Sequence, residues 1–275
     1  MGTVWRLQTR TDSNDGKKIS TYCREKSIAA VGWSINDDQI KKYNAEAFDK
    51  IQSIRASIQS KDIYYKVLEE YNLFNIKAGK KIVAVETLKR VKPGDYIWMR
   101  DNGIYYLGYV GNNLRYVYNP SIDALEHDAA NQIEDVEWKP IGDESQVPGV
   151  IATAFIQGRT LQRVRKAYMY EYASFIYNGK PLVVNAESNE SLKQLFFNCL
   201  SPSDCEDLVC LYLYDKANYI AIPSTNKIAT ELYECVLVNP LNGKLAYPQV
   251  KKGDKELKPN DYIELIKDNP NKEVY

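Results

Sequence analysis

Residues 91–110, VKPGDYIWMRDNGIYYLGYV, restrict this chain's fold more than any other stretch. Pro93-Gly94 sets a turn, because proline fixes φ and glycine accepts the positive φ that tight turns need. Asn102-Gly103 is the pair that two-residue hairpins select. The apolar and aromatic runs at 95–100 and 104–110 read as the two strands of that hairpin. Two strands alone are marginal in water, so further strands and helices must cover them.

Several segments qualify. Residues 4–9 read as an opening strand, followed by turn chemistry at 12–16, a short helix at 19–26 and a strand at 27–33. Phe48, Ile51, Ile54 and Ile58 recur every three or four residues, which predicts helix across 44–70 with a break near 60–62. Residues 114–118 and 134–140 read as further strands. Together they predict a small β-barrel with helices on its outside over residues 1–148. Residues 149–190 read as a connector carrying a basic helix at 161–177.

The remainder has a different rhythm. A helix is expected at 202–214, capped by Ser201 or Ser203. Strands are expected at 219–223, 232–238 and 245–251, with Asn242-Gly243 as a turn. The whole is α+β, and 275 residues suit two domains, with the second at 191–275.

Charge and composition narrow the function. Thirty-six Lys and Arg balance thirty-six Asp and Glu, so no global positive field attracts nucleic acid and any such binding depends on local patches. Five cysteines form no CxxC pair and the single histidine is His127, which argues against a zinc site or a His-dependent triad. No run approaches the length of a bilayer span and the N-terminus lacks a signal pattern, so a cytoplasmic protein with free thiols is expected. The 22 tyrosines suit either β-rich cores or surfaces that stack on flat ligands.

The chemistry concentrates near the C-terminus. Glu234 lies in the apolar run LYECVLV, and Gln249 and Lys251 lie in YPQVKKG. In a strand, Gln249 and Lys251 share a face, and Glu234 on a neighbouring strand can meet them. Two oxygen ligands and an amine on one face suit a hard divalent cation and an attacking water. A solvated strand edge is the plain alternative for the same residues. The run EDLVCLYLY…YIAIPST…TELYECVLVN…GKLAYPQVKKG over about 200–265 resembles the catalytic core of PD-(D/E)XK nucleases, in the Mrr-like restriction branch. That resemblance implies Glu206 as the helix glutamate, Glu234 as the metal-binding acid, Gln249 as the substituted acid and second ligand of a Mg²⁺ ion, and Lys251 as the lysine. Glu234 stands where Mrr-like enzymes usually have Asp. The family core also needs a further helix and strand after its lysine, yet only 24 residues follow Lys251. The expected nuclease domain is therefore incomplete or completed by a partner, with 258–266 as the start of that helix.

The front half also carries a resemblance. Trp5, VGWS at 31–34 and the hairpin of 91–110 resemble an EVE-type domain of the PUA-like barrel class. This implies a pocket for a flipped or modified base. A flipped base needs flat faces and an edge of polar groups. Trp33 and Trp98 are the first stacking candidates, with Tyr106 and Trp138 behind them, although each tryptophan fits a core equally well. Arg100, Asn102 and Arg115 are candidates for phosphate or base-edge contacts. Arg159, Arg163, Arg165 and Lys166 form a cluster able to follow a DNA backbone, or simply a solvated face.

The two resemblances together imply a modification-dependent DNA endonuclease of phage defence, working as a homodimer because duplex cleavage takes two active sites. A non-catalytic modified-DNA-binding component, or a reader of a modified RNA base, fits the same residues.

Overall fold

The computed structural model describes residues 2–9, 19–156, 158–179, 193, 196–222, 233–251, 257–267 and 269–275. The chain divides into two compact units, Met1–Cys199 and Leu200–Tyr275. The expected turn at 12–16 lies outside the described residues.

In chain order the first unit contains β1 (Val4–Leu7), α1 (Ile19–Glu25), β2 (Ile28–Ala30), α2 (Asp37–Asn44), α3 (Phe48–Ile54), α4 (Lys61–Glu70) and α5 (Val83–Leu88). Then come β3 (Tyr96–Asp101), β4 (Ile104–Val110), β5 (Tyr116–Tyr118), α6 (Ile122–Glu126), β6 (Asn131–Glu134), β7 (Val136–Gly142), α7 (Gly149–Ala154), β8 (Leu161–Arg163) and α8 (Met169–Asn178). The Asn102-Gly103 hairpin joins β3 and β4, with φ of 49° and 82°. Both positive values belong to the turn whose twist matches that of the strands.

Five strands form one sheet in the order β7-β4-β3-β1-β8, and three form another in the order β2-β6-β5. Strand β1 runs parallel to β3 and antiparallel to β8. The Asp95 carboxylate locks β1 to the turn before β3, accepting the backbone N–H of Thr3 and Lys92 and the Trp5 indole N–H at 2.7–2.9 Å. The five-stranded sheet is apolar on both faces. Trp5, Leu7, Ile97 and Met99 join a large core with residues of α1 to α5 and the three-stranded sheet. Val4, Tyr96, Trp98 and Leu107 face Ile151, Phe155, Met169 and Tyr177 of the α7–α8 region.

Covering the second face with helices leaves the sheet open. Among the described residues no closed barrel forms, which corrects the expectation of a PUA-like barrel. Residues 149–178 contribute to this unit: β8 is hydrogen-bonded to β1, and α8 supplies part of the second core. The basic helix expected at 161–177 is instead strand β8, a short irregular stretch and helix α8. The helix expected at 44–70 is broken into α3 and α4, with single 3-10 turns at Ala45–Ala47 and Arg55–Ser57, and the break at Ser60 is the N-cap of α4, where the side chain accepts from Ile63 N–H.

The second unit contains α9 (Pro202–Ala217), β9 (Ile220–Ala221), β10 (Leu237–Val238), β11 (Leu245–Tyr247), α10 (Ile263–Ile266) and β12 (Lys272–Val274). Ser201, not Ser203, caps α9 in a reciprocal box: its hydroxyl accepts from Asp204 N–H at 3.0 Å and its own N–H donates to the Asp204 carboxylate at 2.6 Å. The sheet order is β12-β11-β10-β9, antiparallel except for the parallel β11–β12 pair, with α10 between those two strands in the chain. Leu213 of α9 packs on Tyr219, Cys235, Leu237 and Ala246. The order of described elements is thus α-β-β-β-α-β. After Lys251 the described residues hold the four-residue α10 and the three-residue β12.

Candidate functional site

The strands of the second unit are shorter than the sequence predicts, and their ends place the polar residues. Glu234 precedes β10, and Gln249 and Lys251 follow β11. Two backbone bonds continue the pairing past the ladder: Glu234 N–H donates to Pro248 O, and Gln249 N–H to Tyr275 O, each at 2.9 Å. The side chains converge. Gln249 Nε2 donates to Glu234 Oε1 at 2.5 Å, and Lys251 Nζ lies 3.5 Å from that oxygen. Glu206, in the second turn of α9, completes the group. Burial and the nearby Glu234 charge raise its carboxyl above the ordinary value, while Lys251 opposes them.

One atom in this cluster is unsatisfied. Gln249 is 4% exposed, and its Oε1 has no hydrogen-bond partner among the described residues. A buried acceptor left without a donor costs about 1–3 kcal/mol, so the site stores a demand for a donor or a cation. An amide oxygen and a neighbouring carboxylate are hard-cation ligands, so the donor chemistry fits Mg²⁺. Among the described residues no group of three or more His, Cys, Asp or Glu side chains is arranged to hold a metal. Glu234 and Gln249 would therefore leave most of a cation's shell to water and phosphate oxygens, as Mg²⁺ accepts. Lys252, which the sequence offers as extra positive charge beside a phosphate, lies outside the described residues.

Two cysteines adjoin this group, and the sequence reading gave them no role. Cys210 of α9 and Cys235, next to Glu234, bring their sulfurs to 3.5 Å. Their separation of 25 residues in the chain hid the pairing, which depends on α9 packing across the sheet.

The first unit holds a cavity of about 640 Å³ with Trp33 on its wall. Trp33 is 38% exposed and its ring meets the edge of Phe74 at 5.4 Å between centroids. Tyr43 meets Phe74 at 5.3 Å. Both Trp33 (φ 63°) and Phe74 (φ 57°) adopt left-handed backbone, which bulky residues rarely do. The surroundings enforce it. Asp128 accepts the Ser34 backbone N–H at 2.8 Å, and it also bonds to the Trp33 N–H and the Ser34 hydroxyl. Tyr64 hydroxyl and Asn131 Nδ2 donate to Trp33 O at 2.8 and 3.1 Å. Gly32 is required beside them: at φ 79° a Cβ there would stand 2.8 Å from Asp128 Oδ2. Burial raises the Asp128 carboxyl above its ordinary value, against these bonds.

The other stacking candidates are elsewhere. Trp98 is fully buried in the α7–α8 core, so it has no face to offer a base. Tyr106 lies under the Arg24 guanidinium at 4.1 Å. Trp138 packs on the large core and donates its indole N–H to Ile28 O at 2.8 Å. Asn102 is a hairpin-turn residue. Arg100 is ion-paired with Glu144 at 3.6 Å and Arg115 with Glu134 at 2.6 Å, so neither is an uncommitted phosphate contact. Arg159, Arg163, Arg165 and Lys166 are all exposed, on β8 and its flanks rather than on a helix. Asp128, Phe74 and Tyr43 were not singled out in the sequence. The legible trace was Gly32-Trp33, a glycine before an aromatic at a strand end.

No protein-family model matches the chain, and neither a curated protein nor a solved structure is similar to it. Among the described residues no helix is long and apolar enough to cross a membrane.

Proposed function

We propose that this protein is a modification-dependent DNA endonuclease, with a base-reading first unit and a divalent-cation-dependent phosphodiesterase site in the second. The observation that carries the reading is the buried Gln249 Oε1, without a partner among the described residues, beside Glu234, with Lys251 and Glu206 in the same group. The α-β-β-β-α-β order supports it, since it supplies each element that the PD-(D/E)XK resemblance calls for.

Glu234 and Gln249 Oε1 would hold the cation, which supplies polarisation of the phosphodiester and stabilisation of the leaving oxyanion when bound. Lys251, in ion-pair contact with Glu234, would orient a water beside them and offset charge on the phosphate. Glu206, with its raised carboxyl, steadies this arrangement from α9. In the first unit Trp33 offers an exposed, rigidly held ring to a flipped base, worth about 1–3 kcal/mol of stacking. The exposed row Arg159, Arg163, Arg165 and Lys166 would follow the backbone. Duplex scission then takes two copies of the chain.

The test is cleavage of modified phage DNA with Mg²⁺ by the full chain and by Lys251→Ala. Loss of cutting with retained DNA binding supports the assignment; unchanged cutting by the variant rejects it. A second reading, a binder without catalysis, is favoured by the lack of a three-carboxylate set among the described residues. Binding of modified duplex with no metal-dependent cleavage at all would select that reading.

A further inference from the structure

Cys210 and Cys235 are both free thiols, and their sulfurs stand 3.5 Å apart inside the second unit. Cys210 comes from the middle of α9, and Cys235 from the segment just before β10. Cys235 is buried in the core of that unit, and Cys210 packs half-buried against it. A reagent from solvent therefore meets the Cys210 sulfur first, with its partner in contact behind it. A disulfide holds its sulfurs about 2 Å apart, so closing this pair takes about 1.5 Å. Both cysteines also neighbour the carboxylates of the Glu234 group. Glu234 directly precedes Cys235, and Glu206 lies one helical turn before Cys210 on the same face of α9. A bond between the sulfurs would tie the element carrying one carboxylate to the element carrying the other.

We propose that Cys210 and Cys235 form a peroxide-sensitive dithiol, whose oxidation to a disulfide weakens cation binding at Glu234 and Gln249. This rests on the cation-binding role proposed above for that group. The chemistry balances in two steps. The Cys210 sulfur takes one OH of hydrogen peroxide as a sulfenic acid, and the thiol proton leaves with the other OH as water. The Cys235 sulfur then displaces the OH of the sulfenic acid, and its own proton leaves with that OH as a second water. The two sulfurs together lose two electrons and the peroxide gains them. Exchange with a reducing thiol reverses the bond. The link to the cation is geometric. Glu234 Oε1 accepts from Gln249 Nε2 at 2.5 Å and lies 3.5 Å from Lys251 Nζ. Binding groups must be held within about 0.5 Å of their working positions. A closure of about 1.5 Å, shared between α9 and the residue next to Glu234, exceeds that tolerance.

The experiment treats the reduced full chain, freed of reductant, with a small excess of hydrogen peroxide. Digestion at acidic residues cuts between Cys205 and Cys210 at Glu206-Asp207, and mass spectrometry without reductant reads which cysteines are joined. The Cys210–Cys235 linkage is expected as the main cross-link, and dithiothreitol should remove it. Melting temperature is then measured with and without Mg²⁺. The rise that Mg²⁺ gives the reduced protein should fall by at least half after oxidation and return with dithiothreitol. In Cys210→Ser, checked for folding by circular dichroism, the rise should match that of reduced wild type and survive peroxide. A main cross-link through another cysteine, or no cross-link, overturns the dithiol. A linked protein with an undiminished rise, or an equal loss in peroxide-treated Cys210→Ser, overturns the switch. No rise in the reduced protein rejects the cation site and the switch with it, while the cross-link map reports on the thiols separately.

Discussion

The Gln249 side chain gives its amide N–H to Glu234 and leaves its own oxygen buried, with no hydrogen-bond partner among the described residues. A ligand that binds only the folded state stabilises it by mass action. Addition of Mg²⁺ should therefore raise the melting temperature of the wild-type protein. Gln249→Leu and Glu234→Gln should each remove that rise, while a cation-independent baseline near the wild-type value shows that they fold. A rise of equal size in both variants would place the cation elsewhere.

Trp33 and Trp98 should respond oppositely to truncation. Trp33→Ala removes a half-exposed ring, so modified-strand affinity should fall about fivefold to 150-fold, the equivalent of about 1–3 kcal/mol, with little change in stability. Trp98→Ala empties the α7–α8 core and should cost about 3–5 kcal/mol in urea denaturation. Comparable stability losses in the two variants would contradict their different burial.

Asp128 gives a pH signature. Its folded carboxyl titrates above the unfolded value of 3.8, because burial penalises its charge. The folded state then binds the proton more tightly, so this group's contribution is complete below pH 3.8 and is lost as pH rises through the raised folded value. The denaturation midpoint of wild type minus that of Asp128→Asn should decline with rising pH across that window. A difference that does not change with pH would remove the basis for the prediction.

The cysteines should alkylate in a defined order. The hydrogen bond with Cys235 lowers the Cys210 thiol, whereas Cys235 itself is pushed up. Burial pushes Cys23 up to about 12. Thiolate is the reactive form, so iodoacetamide should modify Cys210 before Cys23 or Cys235 in native protein. Peptide mass spectrometry reads the order directly, and earlier labelling of Cys235 would reverse the assignment within the pair.

Local chemistry made part of this structure readable. The Asn102-Gly103 hairpin, strand β4 and the Ser201 cap follow from turn and cap residues acting on their neighbours. Long-range placement was not readable. Trp98 and Trp33 each stand near a glycine-containing turn, yet one is sealed under α7 and α8 and the other is held outward by Asp128, 95 residues away. Alternation predicts that Glu234, Gln249 and Lys251 meet across a hairpin. They do meet, but beyond the strand ends, where backbone bonds to Pro248 and Tyr275 replace the regular ladder. The 161–177 stretch failed because Leu161 to Arg163 are drawn into pairing with β1, and tertiary pairing outweighs a helical pattern that short.

That pairing has a practical consequence for dissecting the molecule. The opening strand is an inner strand only because a segment some 150 residues later closes its far side. A fragment ending at residue 148 would leave that side bare, with unpaired amides and carbonyls inviting association with other chains. An isolated fragment of the first unit should therefore extend through Asn178, and anything shorter is expected to precipitate.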